Sequence, residues 1–214
     1  MSMSIADIRK EYAKKSLSEE EVSPDPVEQF KKWWDEAISA LVDEVNAMTL
    51  ATSSIDGTPS ARTLLLKGFS EAGFVFFTNY NSYKGQQLAE NPQACLLFFW
   101  KELERQVRIT GSAMQLDGKL NDDYFFSRPL TSQVGAIVSP QSQVIENRQW
   151  LDSRYEELIK SHSISPIKRP DNWGGYIVRP TIIEFWQGRP SRLHDRLQYT
   201  LTVDGSWKIE RLAP

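Results

Sequence analysis

Four short stretches of this 214-residue chain bring cations, hydroxyls and aromatic rings together at spacings that suit anionic ligands. The richest is Trp186-Gln-Gly-Arg-Pro-Ser-Arg192-Leu193-His194-Asp-Arg196. Read as part of a strand from Arg192 to Val203, it turns Arg192, His194 and Arg196 to one face, where three potential cations repel unless an anionic or electron-rich ligand lies between them. The second stretch is Tyr124-x-x-x-Arg128-x-x-x-Ser132. It lines a phenol, a guanidinium and a hydroxyl along one helix face, provided the direction survives Pro129, and that trio suits a phosphate monoester. The third runs from Thr78 to Lys84, at a strand end and helix start, where a hydroxyl, a lysine and unpaired amides form a phosphate cradle. The fourth, Arg62-Thr63-Leu64-Leu65-Leu66-Lys67, is a strand with a cation at each end. Its alternation puts Arg62, Leu64 and Leu66 on one face and Thr63, Leu65 and Lys67 on the other. Each stretch alone also has a plain reading as charged strand ends, a capped helix or a solvated helix terminus.

Composition narrows the chemistry. One Cys and two His exclude a disulfide framework and a four-ligand Cys/His zinc site, so no metal is expected and difficult chemistry falls to an organic cofactor. Neither a GxGxxG fingerprint nor a P-loop is present. A net charge of −3 gives no basicity that would attract nucleic acid or an anionic membrane. The charge is uneven, however: residues 1–46 hold six basic and eleven acidic side chains, leaving the rest of the chain mildly basic. The first residues carry charges where a signal peptide is apolar, and the longest apolar run, Ala94 to Trp100, falls far short of the roughly 20 residues a membrane span needs. A cytoplasmic protein is the expectation.

The elements that must position these residues follow from periodicity. A capping box at Ser4 and Asp7 predicts a short helix to about Lys15. Asp25-Pro26 then starts a second helix, with Val27, Phe30, Trp34, Ala37, Ile38, Leu41 and Val45 at helical spacing. Strands are expected over 47–54, 60–67, 74–78, 94–100 and 105–116, with hairpin turns at Asp56-Gly57 and Glu71-Ala72-Gly73. Helices are expected over 82–90, from 117 to 128, and over 144–160. Four more strands follow, over 174–178, 181–187, 192–203 and 206–212. Short, mostly antiparallel strands with inserted helices point to a mainly β fold, a closed or partly closed barrel flanked by helices.

Taken together, RTLLLK at 62–67, Arg105-Gln106, YFFSRPLTSQVGAIVSPQS at 124–142, EFWQG at 184–188, RLHDR at 192–196 and the closing WKIERLAP resemble the pyridoxamine 5'-phosphate oxidase family in the right order along nearly the whole chain. The resemblance implies an antiparallel, Greek-key-like split β-barrel, working as a homodimer with FMN between subunits. It also implies oxidation of pyridoxamine or pyridoxine 5'-phosphate to pyridoxal 5'-phosphate, with oxygen as acceptor. Carried over by position, Arg62 through Lys67, Phe77, Thr78, Lys84, Gln106, Gln141, Ser142, Trp186 and Arg196 are the FMN contacts. Lys67, Tyr124, Arg128 and Ser132 grip the substrate phosphate, and Arg192, Leu193 and His194 lie at the reacting end, with Arg192 and His194 as the catalytic pair. Arg9, Lys10, Glu11 and Tyr12 match a segment that covers the substrate, which divides the chain into a mobile acidic leader, 1–24, and a barrel unit, 25–214. Two departures stand out: Tyr83 stands where the family usually has an arginine beside the phosphate-binding lysine, and Glu44 stands where some relatives carry aspartate near the active site. Another split-barrel FMN oxidoreductase, or a non-catalytic binder of FMN or pyridoxal phosphate, is the alternative.

Overall fold

The computed structural model describes residues 11–162 and 167–214. Among them β1 (Ala47–Ser53), β2 (Pro59–Leu65), β3 (Gly68–Ser70), β4 (Gly73–Asn79), β5 (Gln93–Trp100), β6 (Arg105–Gln115), β7 (Trp173–Gln187), β8 (Asp195–Leu201) and β9 (Trp207–Arg211) form one curled antiparallel sheet. Its order is β2-β1-β5-β6-β7-β4-β3, with β8 paired to the second half of β7 and β9 beyond it.

Alternation decides which side chains meet. Leu50, Leu96, Ile109, Ile183 and Tyr199 form one register row across five strands, and all are fully buried. The rows Leu97, Arg108, Glu184, Gln198 and Phe99, Gln106, Trp186, Arg196 face the opposite way. One face of the sheet therefore makes the core, and the other carries polar and aromatic groups.

The open side of the core is closed by α1 (Pro26–Ser39). Asp25 caps it, its carboxylate accepting from the Val27 and Glu28 amides at 2.7 and 2.9 Å, and Pro26 supplies the preset first helical position. Phe30 drops from α1 into an aromatic nest, with ring centroids 4.9 Å from Phe69, 5.0 Å from Phe74 and 5.2 Å from Phe98. Replacing Asp25 with alanine leaves two helix-start amides without a side-chain acceptor. Chemical denaturation should show a loss of about 1 kcal/mol.

Several expectations are corrected. Residues 1–10 lie outside the described chain, and residues 11–15 are irregular rather than helical; the Ala13 and Lys14 amides bond to the distant Glu104 carboxylate instead of to the previous turn. The Asp25-Pro26 helix stops at Ser39, because Leu41 turns into positive φ (54°), so Leu41 and Val45 are not on it. The Glu71-Ala72-Gly73 turn joins β4 to the short β3, which alternation had not revealed, whereas β2 pairs with β1 at the far edge of the sheet. Pro180 does not divide β7: it sits where a register shift at Thr110/Gly111 removes the need for its missing N–H. The remaining helices are α2 (Tyr83–Glu90), α3 (Gly118–Ser127), α4 (Leu130–Val138) and α5 (Arg148–His162). Of these, α4 was not anticipated, since Pro129 reads as a stop although proline also serves at a helix start.

Candidate active site

The candidate residues gather in three places. At the free edge of the sheet, Arg62 lies opposite Leu50 in the β1–β2 ladder and donates to the Leu50 carbonyl (3.2 Å), Thr52 Oγ1 (2.7 Å) and Ser60 Oγ. Both hydroxyls pass their own protons to Gln87 Oε1 of α2, at 2.5 and 2.6 Å, so their oxygens are turned toward the guanidinium. The α2 start sits beside this edge. Ser82 caps it, and a Cβ on Gly85 would lie 2.2 Å from the Tyr80 carbonyl oxygen, so only glycine lets the backbone pass. Lys84 Nζ reaches Gln141 Oε1 (2.8 Å), Thr78 Oγ1 (3.2 Å) and Ser82 Oγ (3.3 Å). Burial, reinforced by Arg62, brings Lys84 down to about 8, and burial also lowers Arg62. Ser142 adjoins Gln141 on an exposed loop at positive φ (72°), and Tyr83 is exposed at the head of α2.

Thr63 and Leu65 alternate with Arg62 and Leu64 on β2, Leu66 is buried, and Lys67 emerges exposed just beyond the strand, its amide bonded to the Val75 carbonyl at 2.8 Å. Two residues along β4, Phe77 begins the second group. Its ring stacks on Tyr124 (3.8 Å) and on Trp173 (5.6 Å), and the Arg128 guanidinium lies 4.6 Å from the Trp173 ring centroid. Among the described residues, Arg128 Nη1 is buried without a hydrogen-bond partner. Burial raises Tyr124, which Arg128 partly offsets, and burial lowers Arg128. The single helix face expected for this group is corrected. Arg128 is extended (φ −77°, ψ 150°), as a residue before proline tends to be, so Ser132 stands in the first turn of a separate helix, α4.

The third group surrounds the second half of β7. Trp186 and His194 rings are 4.6 Å apart, and Tyr12 lies 5.8 Å from Trp186 and 6.0 Å from His194. The Arg189 amide donates to His194 Nδ1 at 3.0 Å, which leaves the neutral ring with its proton on Nε2. The shared strand face expected for Arg192, His194 and Arg196 is also corrected: β8 starts only at Asp195, and Arg192 sits in a 3-10 turn where it and Ser191 hold positive φ (61° and 56°). That strained turn exposes Arg192 and Leu193. Arg196 is not a free cation either, since it donates to Glu184 Oε1 (2.9 Å) and to the Ala213 carbonyl (2.7 Å). Glu184, almost fully buried, also pairs with Arg108. Gln106 stands beside Trp186 in the ladder. Arg9 and Lys10 lie outside the described residues; Glu11 is exposed next to Tyr12, and Glu44 is exposed in the turn before β1 at φ 44°.

A contrast in charge separates these groups. Among the described residues, no carboxylate forms an ion pair with Arg62, Lys84 or Arg128, while Arg196, Arg105 and Arg169 each have one. Half-buried cations without carboxylates are costly unless an anion comes to them. Neither Glu184 nor Trp173 stands out in the sequence: alternation puts Glu184 on the strand face of Trp186 but does not show its pairing with Arg196, and Trp173 carries no such sign.

A pyridoxamine 5'-phosphate oxidase family model matches residues 34–162, and a pyridoxine 5'-phosphate oxidase C-terminal dimerisation region matches residues 173–214. The chain is 57% identical to a pyridoxine/pyridoxamine 5'-phosphate oxidase of Nostoc sp. over 214 residues, covering all of both chains. It is 54% identical to the chloroplastic pyridoxine/pyridoxamine 5'-phosphate oxidase 1 of Arabidopsis thaliana, covering 98% of this chain and 40% of that one. The crystal structure of PhzG from Burkholderia lata 383 in complex with tetrahydrophenazine-1-carboxylic acid superposes with a TM-score of 0.86 at 31% identity, covering 91% of this chain and 95% of that one. A pyridoxamine 5'-phosphate oxidase-related, FMN binding protein from Nostoc punctiforme shares the fold, with a TM-score of 0.73 at 18% identity over 90% of this chain and all of that one. The family model over residues 34–162, the dimerisation-region match over 173–214 and full-length identity above one half agree, and the chain belongs to the pyridoxamine 5'-phosphate oxidase family.

Proposed function

We propose that this protein oxidises pyridoxine 5'-phosphate or pyridoxamine 5'-phosphate to pyridoxal 5'-phosphate with FMN as cofactor and oxygen as acceptor, releasing hydrogen peroxide and, from the amine, ammonia as water hydrolyses the imine. The observation that carries this reading is the division of three cations, none paired to a carboxylate among the described residues, into two clusters, Arg62 with Lys84 and Arg128 with Tyr124, one for each of two phosphorylated ligands. The cofactor phosphate fits the first: a cationic amine, a guanidinium, the Thr78 hydroxyl and the α2 start converge there. The substrate phosphate fits the second, where the buried Nη1 of Arg128 has a donor to give. Lys67 and Ser132 complete that grip.

The chemistry that no side chain here provides, accepting a hydride from carbon and passing two electrons to oxygen, comes with bound FMN. The side chains bind and orient. Phosphate binding at Arg128, remote from the reacting carbon, supplies binding energy that fixes the pyridine ring in a near-attack geometry. His194 presents Nε2–H as a hydrogen-bond donor because its Nδ1 is already engaged, and Arg192 beside it holds the reacting end. His194→Asn, which keeps a donor, should lower kcat/KM about tenfold, the cost of one misplaced hydrogen bond. Loss of nearly all turnover at unchanged KM would assign proton transfer to His194 instead.

Gln106, Trp186 and Arg196 lie on the sheet face away from the core, alongside the half-exposed Phe99. Together with the dimerisation-region match, this supports a homodimer in which that face meets FMN bound by Arg62 and Lys84 of the other subunit. In this reading residues 25–214 form the catalytic unit and 1–24 a leader whose end covers the substrate. Among the described residues, no helix is long and apolar enough to cross a membrane. The assay is aerobic turnover: pyridoxal 5'-phosphate and peroxide should appear one for one with pyridoxine 5'-phosphate consumed. Equal rates with unphosphorylated pyridoxine would contradict the role given to Arg128.

A further inference from the structure

We propose that Glu104 is the positioning residue that seats Tyr12 against the reacting end of the site. This rests on the functional reading above. Tyr12 belongs to an irregular segment that cannot satisfy its own amides, and the two that follow it, Ala13 and Lys14, donate to the same oxygen, Glu104 Oε2, at 2.9 and 3.2 Å. Glu104 is buried, and its backbone holds φ 57°, a conformation that glycine or asparagine adopts with less strain. That backbone is fastened to the end of β7: the Glu104 carbonyl accepts from the Gly188 amide (2.7 Å) and from Gln187 Nε2 (3.2 Å). One residue therefore ties the Tyr12 segment to the strand that carries Trp186.

Gly188 makes an independent case. A Cβ there would lie 2.7 Å from both Cβ and Cγ of Tyr12, so the ring can rest on Trp186 and His194 only because position 188 is bare. Further along, Lys15 pairs with Glu36 at 2.7 Å and the Leu17 amide bonds Asp195 at 3.1 Å, which fix the course of the segment but not the last step to Tyr12.

The test is steady-state kinetics on the FMN-loaded enzyme with Glu104→Ala, Glu104→Gln, Tyr12→Ala and the Glu104→Ala/Tyr12→Ala double variant. Glu104→Ala should raise KM for pyridoxine 5'-phosphate roughly tenfold, with the change in KM rather than kcat, and Glu104→Gln, which keeps an acceptor, should recover most of it. In the Tyr12→Ala background the same substitution should add less than about twofold, because its route is already gone. A full effect in that background, or no effect in either, overturns the proposal. Gly188→Ala leaves Glu104 intact and should reproduce the KM rise, which keeps the test decisive should Glu104→Ala fold poorly. Trypsin cleavage after Lys14 and Lys15 provides a readout free of catalysis. It should accelerate in Glu104→Ala, and an unchanged rate counts against the clamp. If wild-type protein does not oxidise the substrate, the functional reading fails while the cleavage rates still decide the clamp.

Discussion

Arg128→Ala should lower kcat/KM for pyridoxine 5'-phosphate by about a thousandfold, through KM more than kcat. The guanidinium lies over Trp173 with one buried nitrogen that has no partner among the described residues, so a phosphate placed there gains charge-assisted hydrogen bonds at that nitrogen without displacing one of theirs. Two such bonds, at about 1.5–3 kcal/mol each, give that range. Arg128→Lys should restore little, since an ammonium cannot reproduce the planar fork or its stacking on the indole. Comparing each variant on phosphorylated and unphosphorylated pyridoxine isolates the effect: the preference for the phosphate ester should collapse. An intact preference in Arg128→Ala would move the phosphate grip elsewhere.

Lys84→Met should weaken FMN binding to the apoprotein roughly a hundredfold, measured by quenching of flavin fluorescence. The pH dependence gives a sharper signature. Burial and Arg62 bring the Lys84 amine down to about 8, so FMN affinity should be flat at neutral pH and fall as pH rises past 8, where the ammonium is lost before ligand arrives. The sign for folding is opposite. Between about 8 and the ordinary lysine value the unfolded chain holds the proton that the folded chain has released, so the apoprotein should gain stability with rising pH across that window. Below 8 the cost of the buried charge is fully present. Lys84→Met should flatten both dependences, and a wild-type affinity that does not change between pH 7 and 9 would contradict the assignment.

Much of this site is written in local sequence because its parts are local. The Thr78 to Lys84 cradle needs only a strand end, a Ser82 cap and a helix start, and all three follow from residue type. The alternation of Arg62 with Thr63 likewise survives intact in β2. What failed depended on backbone breaks. Arg128 leaves the helical region just before Pro129, and Arg192 and Ser191 adopt positive φ without being glycine, so neither helical nor strand periodicity applies where it was used. The apparent excess of cations at 192–196 had a second cause: Glu184 reaches Arg196 across a strand pair, and the pairing is a property of the sheet rather than of the segment. Glu104 and Trp173 were invisible for the same reason, since their partners lie far along the chain.

If the two cation clusters serve a flavin nucleotide and a phosphorylated pyridine in one reaction, the flavin itself reports it. The purified protein should show the yellow absorption of bound flavin. Adding pyridoxine 5'-phosphate without oxygen should bleach that absorption, and admitting air should restore it with release of peroxide and pyridoxal 5'-phosphate. A flavin spectrum left unchanged by the substrate in the absence of oxygen would mean that the two clusters do not serve one oxidation.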